Sequence, residues 1–186
     1  KFLAIFVLIF SFFKDSIANQ FNHVNSSSLE IVPRKIIKIG QNFFFGIKIN
    51  LNKGWKTYWK NPGDAGAPIE LDWLNNEDIE SFEILYPFPK KFEDNQITTI
   101  GYENEDIFPI KIKLKNDKNV LKSNLKINYL VCKDICIPIE TKKNINFDFS
   151  DFVDSIYDTQ IYSYFQKVPQ VALGEFKVVS KNISKE

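Results

Sequence analysis

Cys132 and Cys136 are the only cysteines among 186 residues, and three residues lie between them. When oxidised, two thiols this close in sequence form a five-residue ring, which constrains the unfolded chain far less than a long loop does. A disulfide that adds little stability but can gain and lose two electrons is suited to thiol–disulfide exchange. The sequence therefore predicts a redox-active pair, with a small structural clip as the alternative.

The residues around the pair predict its position in the fold. In one extended strand the two Cα atoms would be about 13 Å apart, which is too far for a disulfide. The β-branched residues Val131 and Ile135 and the following Pro138 disfavour a helix. We therefore expect Cys132 to end one strand and Cys136 to begin the next, with the pair exposed at the tip of a hairpin.

Charged neighbours would act on the two thiols in opposite directions. Exchange proceeds through the thiolate, which a nearby cation favours and a nearby anion disfavours. Lys133 is such a cation, whereas Asp134 and Glu140 are anions, and the sequence leaves the balance open. Glu140 is also a candidate proton acceptor for Cys136, with a solvated strand residue as the alternative.

The beginning of the chain has the pattern of a secretory signal. Lys1 precedes an apolar run of about 12 residues, which is shorter than the roughly 20 residues of a membrane-spanning helix. Ser16 and Ala18 then supply small residues at the spacing of a cleavage site. These features predict a signal peptide over residues 1–18 and an exported protein; an uncleaved anchor is the alternative.

Composition excludes several classes of function. The 24 basic and 23 acidic residues give a net charge of +1, so we expect no nucleic-acid partner and no membrane-binding polybasic patch. With one histidine, no methionine and two cysteines, the chain lacks the residues for a usual four-ligand zinc site. No glycine-rich phosphate-binding loop is present.

Short alternating apolar segments between turn signals predict an all-β fold, a β-sandwich. We expect a flexible lead over 19–28, the sandwich over 29–149, and a helix followed by a linker or tail over 150–186. The helix should run from Ser150 to just before Pro169. Because Pro87 and Pro89 interrupt the pattern, the stretch from there to Tyr102 is expected to be irregular.

Four motifs occur in an order typical of a known family. They are Gly54-Trp55-Lys56-Thr57-Tyr58-Trp59-Lys60-Asn61-Pro62-Gly63-Asp64-Ala65-Gly66, Tyr86-Pro87-Phe88-Pro89, Gly101-Tyr102, and Cys132 with Cys136-Ile137-Pro138-Ile139-Glu140-Thr141-Lys142. Over about residues 30–150 the chain resembles the N-terminal periplasmic domain of the DsbD thiol:disulfide interchange proteins, including the ScsB-type reductases. It departs from the better-known members in the narrower spacing of its cysteines.

The resemblance implies an immunoglobulin-like sandwich that uses no organic cofactor. A thioredoxin-like domain would reduce the cysteine pair, which would then pass electrons to periplasmic acceptor proteins. In such domains the second cysteine, here Cys136, forms the mixed disulfide, and the first, Cys132, resolves it. A membrane electron-transfer domain can be linked to such a domain.

The resemblance also implies a cap loop that covers the pair, matched here by residues 92–102. Ile97, Ile100 or Tyr102 would supply the shielding side chain. Tyr58 and Asp64 are candidate supporting residues, with core packing and a backbone turn as their structural alternatives. A rival interpretation of the whole chain is a non-catalytic protein-binding sandwich whose disulfide is structural, and a third is an inert envelope domain.

Overall fold

The protein is described here by a computed structural model that covers residues 26–74, 76–115, 118, 120–148 and 160–169. Its strands are β1 (Ser27–Ile39), β2 (Asn42–Leu51), β3 (Lys56–Gly63), β4 (Glu70–Leu74), β5 (Ile79–Ile84), β6 (Lys90–Asp94), β7 (Ile97–Glu103), β8 (Glu105–Leu114), β9 (Val120–Cys132) and β10 (Cys136–Asp148). One helix follows, α1 (Gln160–Gln166).

The strands form two antiparallel sheets. The first has the order β1-β2-β8-β5, and the second has the order β10-β9-β3-β7-β6, with β4 also paired to β9. Apolar residues alternate along β2, β8 and β9, and one set from each strand fills the space between the sheets; it includes Phe45, Ile47, Phe108, Ile110, Leu125 and Ile127. The predicted all-β, immunoglobulin-like sandwich is confirmed.

The long β9–β10 hairpin is the element that positions the cysteines. Both strands have 13 residues, and they pair in continuous register from Val120↔Asp148 to Cys132↔Cys136. The odd-numbered residues of β9 point to the core, where Val131 is fully buried. Cys132 therefore lies on the outer face of the second sheet, away from the core.

The stretch before Tyr102 corrects one expectation. It is not irregular: β6 and β7 form a regular hairpin that pairs Asp94 with Ile97. Asn95 and Gln96 connect the strands with φ values of 48° and 70°. Two successive positive φ angles are the geometry of a type I′ turn, whose twist matches that of a hairpin.

The helix covers part of the outer face of the first sheet. Ile161 is buried against Phe44 and Ile107, and the Phe165 ring meets Phe44 edge-on, with centroids 5.0 Å apart. The helix is observed before Pro169 as expected, while its predicted beginning at Ser150 lies outside the described residues, as do 1–25 and the tail from 170. At the other end of the domain, β1 begins at Ser27, two residues before the expected boundary at 29.

No helix within the described part of the chain is long and apolar enough to cross a bilayer.

Candidate functional site

Cys132 and Cys136 form a disulfide at the tip of the β9–β10 hairpin, with Cα atoms 4.1 Å apart. They are the last pair of the ladder, and the three residues between them make the turn. Within that turn the Lys133 backbone amide donates to the Ile135 carbonyl oxygen at 3.0 Å. The predicted geometry of the pair, one cysteine ending a strand and the other beginning the next, is therefore the observed one.

The two cysteines differ in exposure. Cys132 is only 6% exposed, whereas Cys136 is an exposed residue. The cause is strand order, because β9 is flanked by β3 as well as β10, while β10 is the edge of the sheet. A nucleophile from another protein can therefore approach the residue Cys136 more readily than Cys132.

Lys56 of β3 is the direct neighbour of Cys132 on the side away from Cys136. It is the Cα partner of Cys132 on one side and of Glu103 in β7 on the other. Side chains of paired residues lie on the same face of a sheet, so these three residues form a row on the outer face. Lys56 is not among the site residues predicted from the sequence, although it lies in the motif around Tyr58.

Phe92 of β6 is an aromatic residue on this outer face. It pairs with Thr99, which is four residues from Glu103 and therefore on the same face. The Lys56 ammonium lies 4.6 Å from the centroid of its ring. Phe92 was within the predicted cap region but was not among the predicted shielding residues.

The three predicted shielding residues lie on β7 and differ in face and exposure. Ile97 is 48% exposed beside the hairpin turn and, two residues from Thr99, lies on the same face as Phe92, whereas Ile100 lies on the opposite face. Tyr102 is 2% exposed and belongs to the core between the sheets. Its hydroxyl donates to the Pro87 carbonyl oxygen at 2.8 Å, and burial raises the pKa of that hydroxyl.

Asp64 makes hydrogen bonds to the β6–β7 hairpin and not within its own turn. One of its carboxylate oxygens accepts from the Thr98 backbone amide at 2.8 Å, and its own amide donates to the Thr98 carbonyl oxygen at 2.8 Å. The expected hydrogen bond to its own backbone is replaced by this contact with a residue 34 positions later. Asp64 therefore supports the predicted cap region.

Tyr58 is buried on the outer face of the second sheet. It is 4% exposed, and burial raises the pKa of its hydroxyl. The loop at Gly66 covers its ring, since a Cβ at Gly66 would lie 2.3 Å from a ring carbon. Tyr58 is thus a packing residue of the same face as Cys132, two positions along β3 from Lys56.

Glu140 lies away from the disulfide. It is exposed on β10, four residues beyond Cys136, and pairs with Asn128 of β9. At about 3.3 Å per residue its Cα is about 13 Å from that of Cys136. Its carboxylate lies 3.9 Å from the Lys126 ammonium, in the position of a solvated strand residue.

A shallow groove of about 370 Å³ lies on the outer face beyond the pair. Its apolar lining includes Pro68, Leu130 and Pro138, and Glu70 and Glu140 lie at its polar parts. Within the described residues, no group of three histidine, cysteine or acidic side chains is arranged to hold a metal ion.

Known proteins place the chain among thiol:disulfide interchange domains. Residues 30–147 match the family described as the N-terminal region of the thiol:disulfide interchange protein DsbD. The crystal structure of the N-terminal periplasmic domain of ScsB from Proteus mirabilis is similar, with 26% identity, a TM-score of 0.58, and coverage of 78% of this chain and 55% of that one. The chain thus spans about half the length of that ScsB domain.

Two structures from Neisseria meningitidis are more distant. The reduced DsbD N-terminal domain has 12% identity, a TM-score of 0.39, and coverage of 61% of this chain and 83% of that one. The complex between the DsbD and PilB N-terminal domains has 13% identity, a TM-score of 0.38, and coverage of 70% of this chain and 88% of that one. No curated protein matches the sequence significantly. Because the family match includes both cysteines and nearly all of both sheets, the chain belongs to the family of DsbD N-terminal domains.

Proposed function

We propose that this domain exchanges electrons through Cys132 and Cys136 in the periplasm. It takes them from a thioredoxin-like donor and passes them to oxidised periplasmic proteins. The observation that carries the proposal is a disulfide at an exposed hairpin tip whose two cysteine residues differ in exposure, Cys136 being exposed and Cys132 buried. Membership of the DsbD family supports the reaction class.

In the receiving direction, a thiolate of the donor attacks the Cys136 sulfur. The Cys132–Cys136 bond breaks, Cys132 leaves as a thiolate, and a mixed disulfide joins the donor to Cys136. The donor's second thiolate then attacks the donor's first sulfur, which is bonded to Cys136. This step closes the donor's disulfide and releases the Cys136 thiolate. Two electrons and, at neutral pH, up to two protons end on the domain.

In the delivering direction, the Cys136 thiolate attacks one sulfur of an acceptor's disulfide. The acceptor's other sulfur leaves as a thiolate and takes a proton. The Cys132 thiolate then attacks Cys136, which re-forms the internal disulfide and releases the acceptor in its dithiol form. Cys132 needs little exposure for this step, because its target is the adjacent cysteine.

We assign the cap of the pair to the hairpin formed by β6 and β7. Phe92 lies on the outer face with the cysteines, Lys56 lies between them in the strand order, and Asp64 ties the hairpin to the preceding loop. Among the residues named from the sequence, Asp64 supports this assignment most directly. The turn end of this hairpin, which few bonds attach to β3, can move aside when a partner docks.

The proposal extends to the location of the protein. Residues 1–18 act as a signal peptide, and residues 150–186 connect the sandwich to another part of the electron-transfer system, such as a membrane domain. The thioredoxin-like donor is in keeping with the complex that the Neisseria meningitidis DsbD domain forms with the PilB N-terminal domain.

A trapping experiment tests the proposal. Reduced Cys132→Ser protein is mixed with a thioredoxin that keeps one active-site cysteine, activated as a mixed disulfide with thionitrobenzoate. We expect the release of one thionitrobenzoate per domain and the formation of a covalent adduct that dithiothreitol cleaves by reducing its disulfide. The matched Cys136→Ser variant keeps only the buried cysteine and should react at least about tenfold more slowly.

Equal rates for the two variants, or no adduct with Cys132→Ser, would contradict the proposed role of Cys136. The reduction potential gives an independent measurement. A midpoint of roughly −180 to −270 mV lies in the range of exchange proteins, whereas a value below about −300 mV is typical of a structural disulfide.

A second candidate, a non-catalytic binding module, is favoured by one observation, the groove lined by Pro68, Leu130 and Pro138. In that case a variant with both cysteines replaced by serine would bind its protein partner as the wild type does. Loss of partner capture in the double variant would instead favour electron exchange.

A further inference from the structure

In the row formed by Cys132, Lys56 and Glu103, the carboxylate has an ion-pair partner among the described residues and the Lys56 ammonium has none. Glu103 is bound by the Lys90 ammonium at 2.8 Å. Within the described part of the chain, the Lys56 ammonium has no carboxylate oxygen within 4.0 Å, and it lies 4.6 Å from the centroid of the Phe92 ring. Lys56 is therefore a cation one strand from Cys132 whose ammonium contacts an aromatic ring on the side away from the disulfide and is paired with no described anion.

The chemistry of the pair creates an anion beside Lys56. When a thiolate attacks the exposed residue Cys136, the leaving group is the sulfur of Cys132, a residue that is only 6% exposed. A charge formed at a buried position is costly unless an opposite charge is close to it. A direct cross-strand neighbour on the same face lies within reach of a lysine side chain, and Lys56 is that neighbour.

Lys133 is the other cation close to the pair, but its side chain lies over the turn before β3. A Cβ at Gly54 would be 3.1 Å from the Lys133 Cε atom and 3.6 Å from its ammonium nitrogen. Asp134, next in the turn, is exposed and carries the opposite charge. The strand register thus favours Lys56 as the cation that serves Cys132.

We propose that Lys56 alternates between the Phe92 ring and the Cys132 thiolate. With the disulfide closed, its ammonium rests on Phe92 and holds the β6–β7 hairpin near the pair. When Cys132 becomes a thiolate, the ammonium moves to the sulfur and releases Phe92. Lys56 would therefore stabilise the leaving group and make the freedom of the cap depend on the redox state, an inference that rests on the proposed exchange function.

Two variants separate the charge of Lys56 from its packing. Lys56→Met keeps an unbranched side chain of similar length without the charge, and Lys56→Arg keeps a cation that stacks on aromatic rings. Lys142→Met is the matched control, because Lys142 is exposed on the outer face of the same sheet, six residues from Cys136. Far-ultraviolet circular dichroism before the measurements selects variants with the wild-type fold.

The first readout is the rate at which dithiothreitol reduces the disulfide at pH 7. We expect Lys56→Met to be about tenfold slower and Lys56→Arg and Lys142→Met to stay within about twofold of the wild type. The equilibrium with a thiol buffer should move about tenfold toward the disulfide in Lys56→Met, which corresponds to about 30 mV. Wild-type rates and equilibria in Lys56→Met would overturn the role of Lys56 at the leaving group.

The second readout is hydrogen exchange of the β6 amides, Lys90–Asp94, in the oxidised and reduced proteins. The wild type should exchange several-fold faster when reduced, and Lys56→Met should exchange equally fast in both forms. Exchange in the wild type that does not depend on redox state would overturn the release of Phe92.

These results are independent of the trapping experiment. Dithiothreitol reduces the pair whatever its physiological partner, so Lys56→Met can behave as the wild type while the Cys136 adduct still forms. In that case the inference about Lys56 fails and the proposed function stands.

Discussion

Replacement of Asp64 by alanine should loosen the β6–β7 hairpin without unfolding the domain. The pairing of β3 with β7 shifts register between Tyr58 and Gly63, so the turn end of the hairpin depends on few attachments. Those seen are the Gly63↔Thr99 pair and the two hydrogen bonds between Asp64 and Thr98. The substitution removes one of these bonds, the one from the Thr98 amide to the carboxylate at 2.8 Å.

The size of the effect follows from that single bond. Hydrogen bonds to charged groups contribute about 1.5–3 kcal/mol, but at this exposed site water competes, and about 1 kcal/mol is the appropriate estimate. With RT near 0.6 kcal/mol, the opening equilibrium of this end of the hairpin should rise about fivefold. The backbone bond from the Asp64 amide to the Thr98 carbonyl remains, so the hairpin should stay folded.

Amide hydrogen exchange measures this opening directly, since the Thr98 amide is the donor of the lost bond. We expect its exchange to be about fivefold faster in Asp64→Ala. Asp64→Asn is the control, because its side-chain oxygen can still accept from Thr98, and it should differ from the wild type by less than about twofold. Unchanged Thr98 exchange in Asp64→Ala, or equal changes in both variants, would refute the assigned role of Asp64.

Three further changes should alter stability. Tyr102→Phe leaves the Pro87 carbonyl without its buried donor and should cost about 1–2 kcal/mol in urea unfolding. Gly66→Ala, at φ +108° with a Cβ 2.3 Å from the Tyr58 ring, should cost at least about 2 kcal/mol in the same assay. Burial raises the pKa of Asp106 from 3.8 to about 6, with the Lys167 and Lys90 charges opposing this effect. The folded state then holds a proton that the unfolded state lacks, so stability falls as pH rises from about 4 to 6; Asp106→Asn should remove that fall and stabilise the protein at pH 7.

Each of these has a result that would contradict it. Gly40→Ala is the control for Gly66, since Gly40 has φ +60° and nothing within 4 Å of a Cβ, and should cost only about 1 kcal/mol. Equal losses at the two glycines would exclude a clash with the tyrosine ring. If Tyr102→Phe lowers the free energy of unfolding by less than about 0.5 kcal/mol, the prediction for Tyr102 is wrong. If the stability of Asp106→Asn depends on pH as that of the wild type does, the prediction for Asp106 is wrong.

The features that the sequence predicted well are those determined by local pattern. β2 and β8 alternate because one face of each packs in the core, as the burial of Ile47 and Ile110 shows. The position of the disulfide followed from the reach of a strand and from the residues that disfavour a helix around Cys132. Both predictions needed only geometry within a few residues of the chain.

The features that it missed depend on contacts between distant segments. β6 is an exposed edge strand with mixed charges, so it has no apolar alternation to reveal it, and Gln96 takes a positive φ that its residue type does not suggest. Asp64 looks like a turn residue until Thr98 is brought beside it. The positions of Phe92 and Lys56 relative to Cys132 are known only once the register aligns the four strands β9, β3, β7 and β6.

The disulfide should contribute little to the stability of the fold, which agrees with the proposed exchange chemistry. This contribution can be measured. In the chain-entropy model a five-residue ring stabilises the folded state by about 2 kcal/mol. By the thermodynamic cycle that links folding to reduction, the fold favours the disulfide by the same amount, which corresponds to only about 45 mV. The 13 paired positions of β9 and β10 should hold the two thiols together without the bond. Urea unfolding of the oxidised and reduced proteins should therefore differ by no more than about 2 kcal/mol, and the variant with Ser at 132 and 136 should match the reduced form. A loss of 4 kcal/mol or more, or unfolding on reduction, would mean that Cys132–Cys136 is a structural bond.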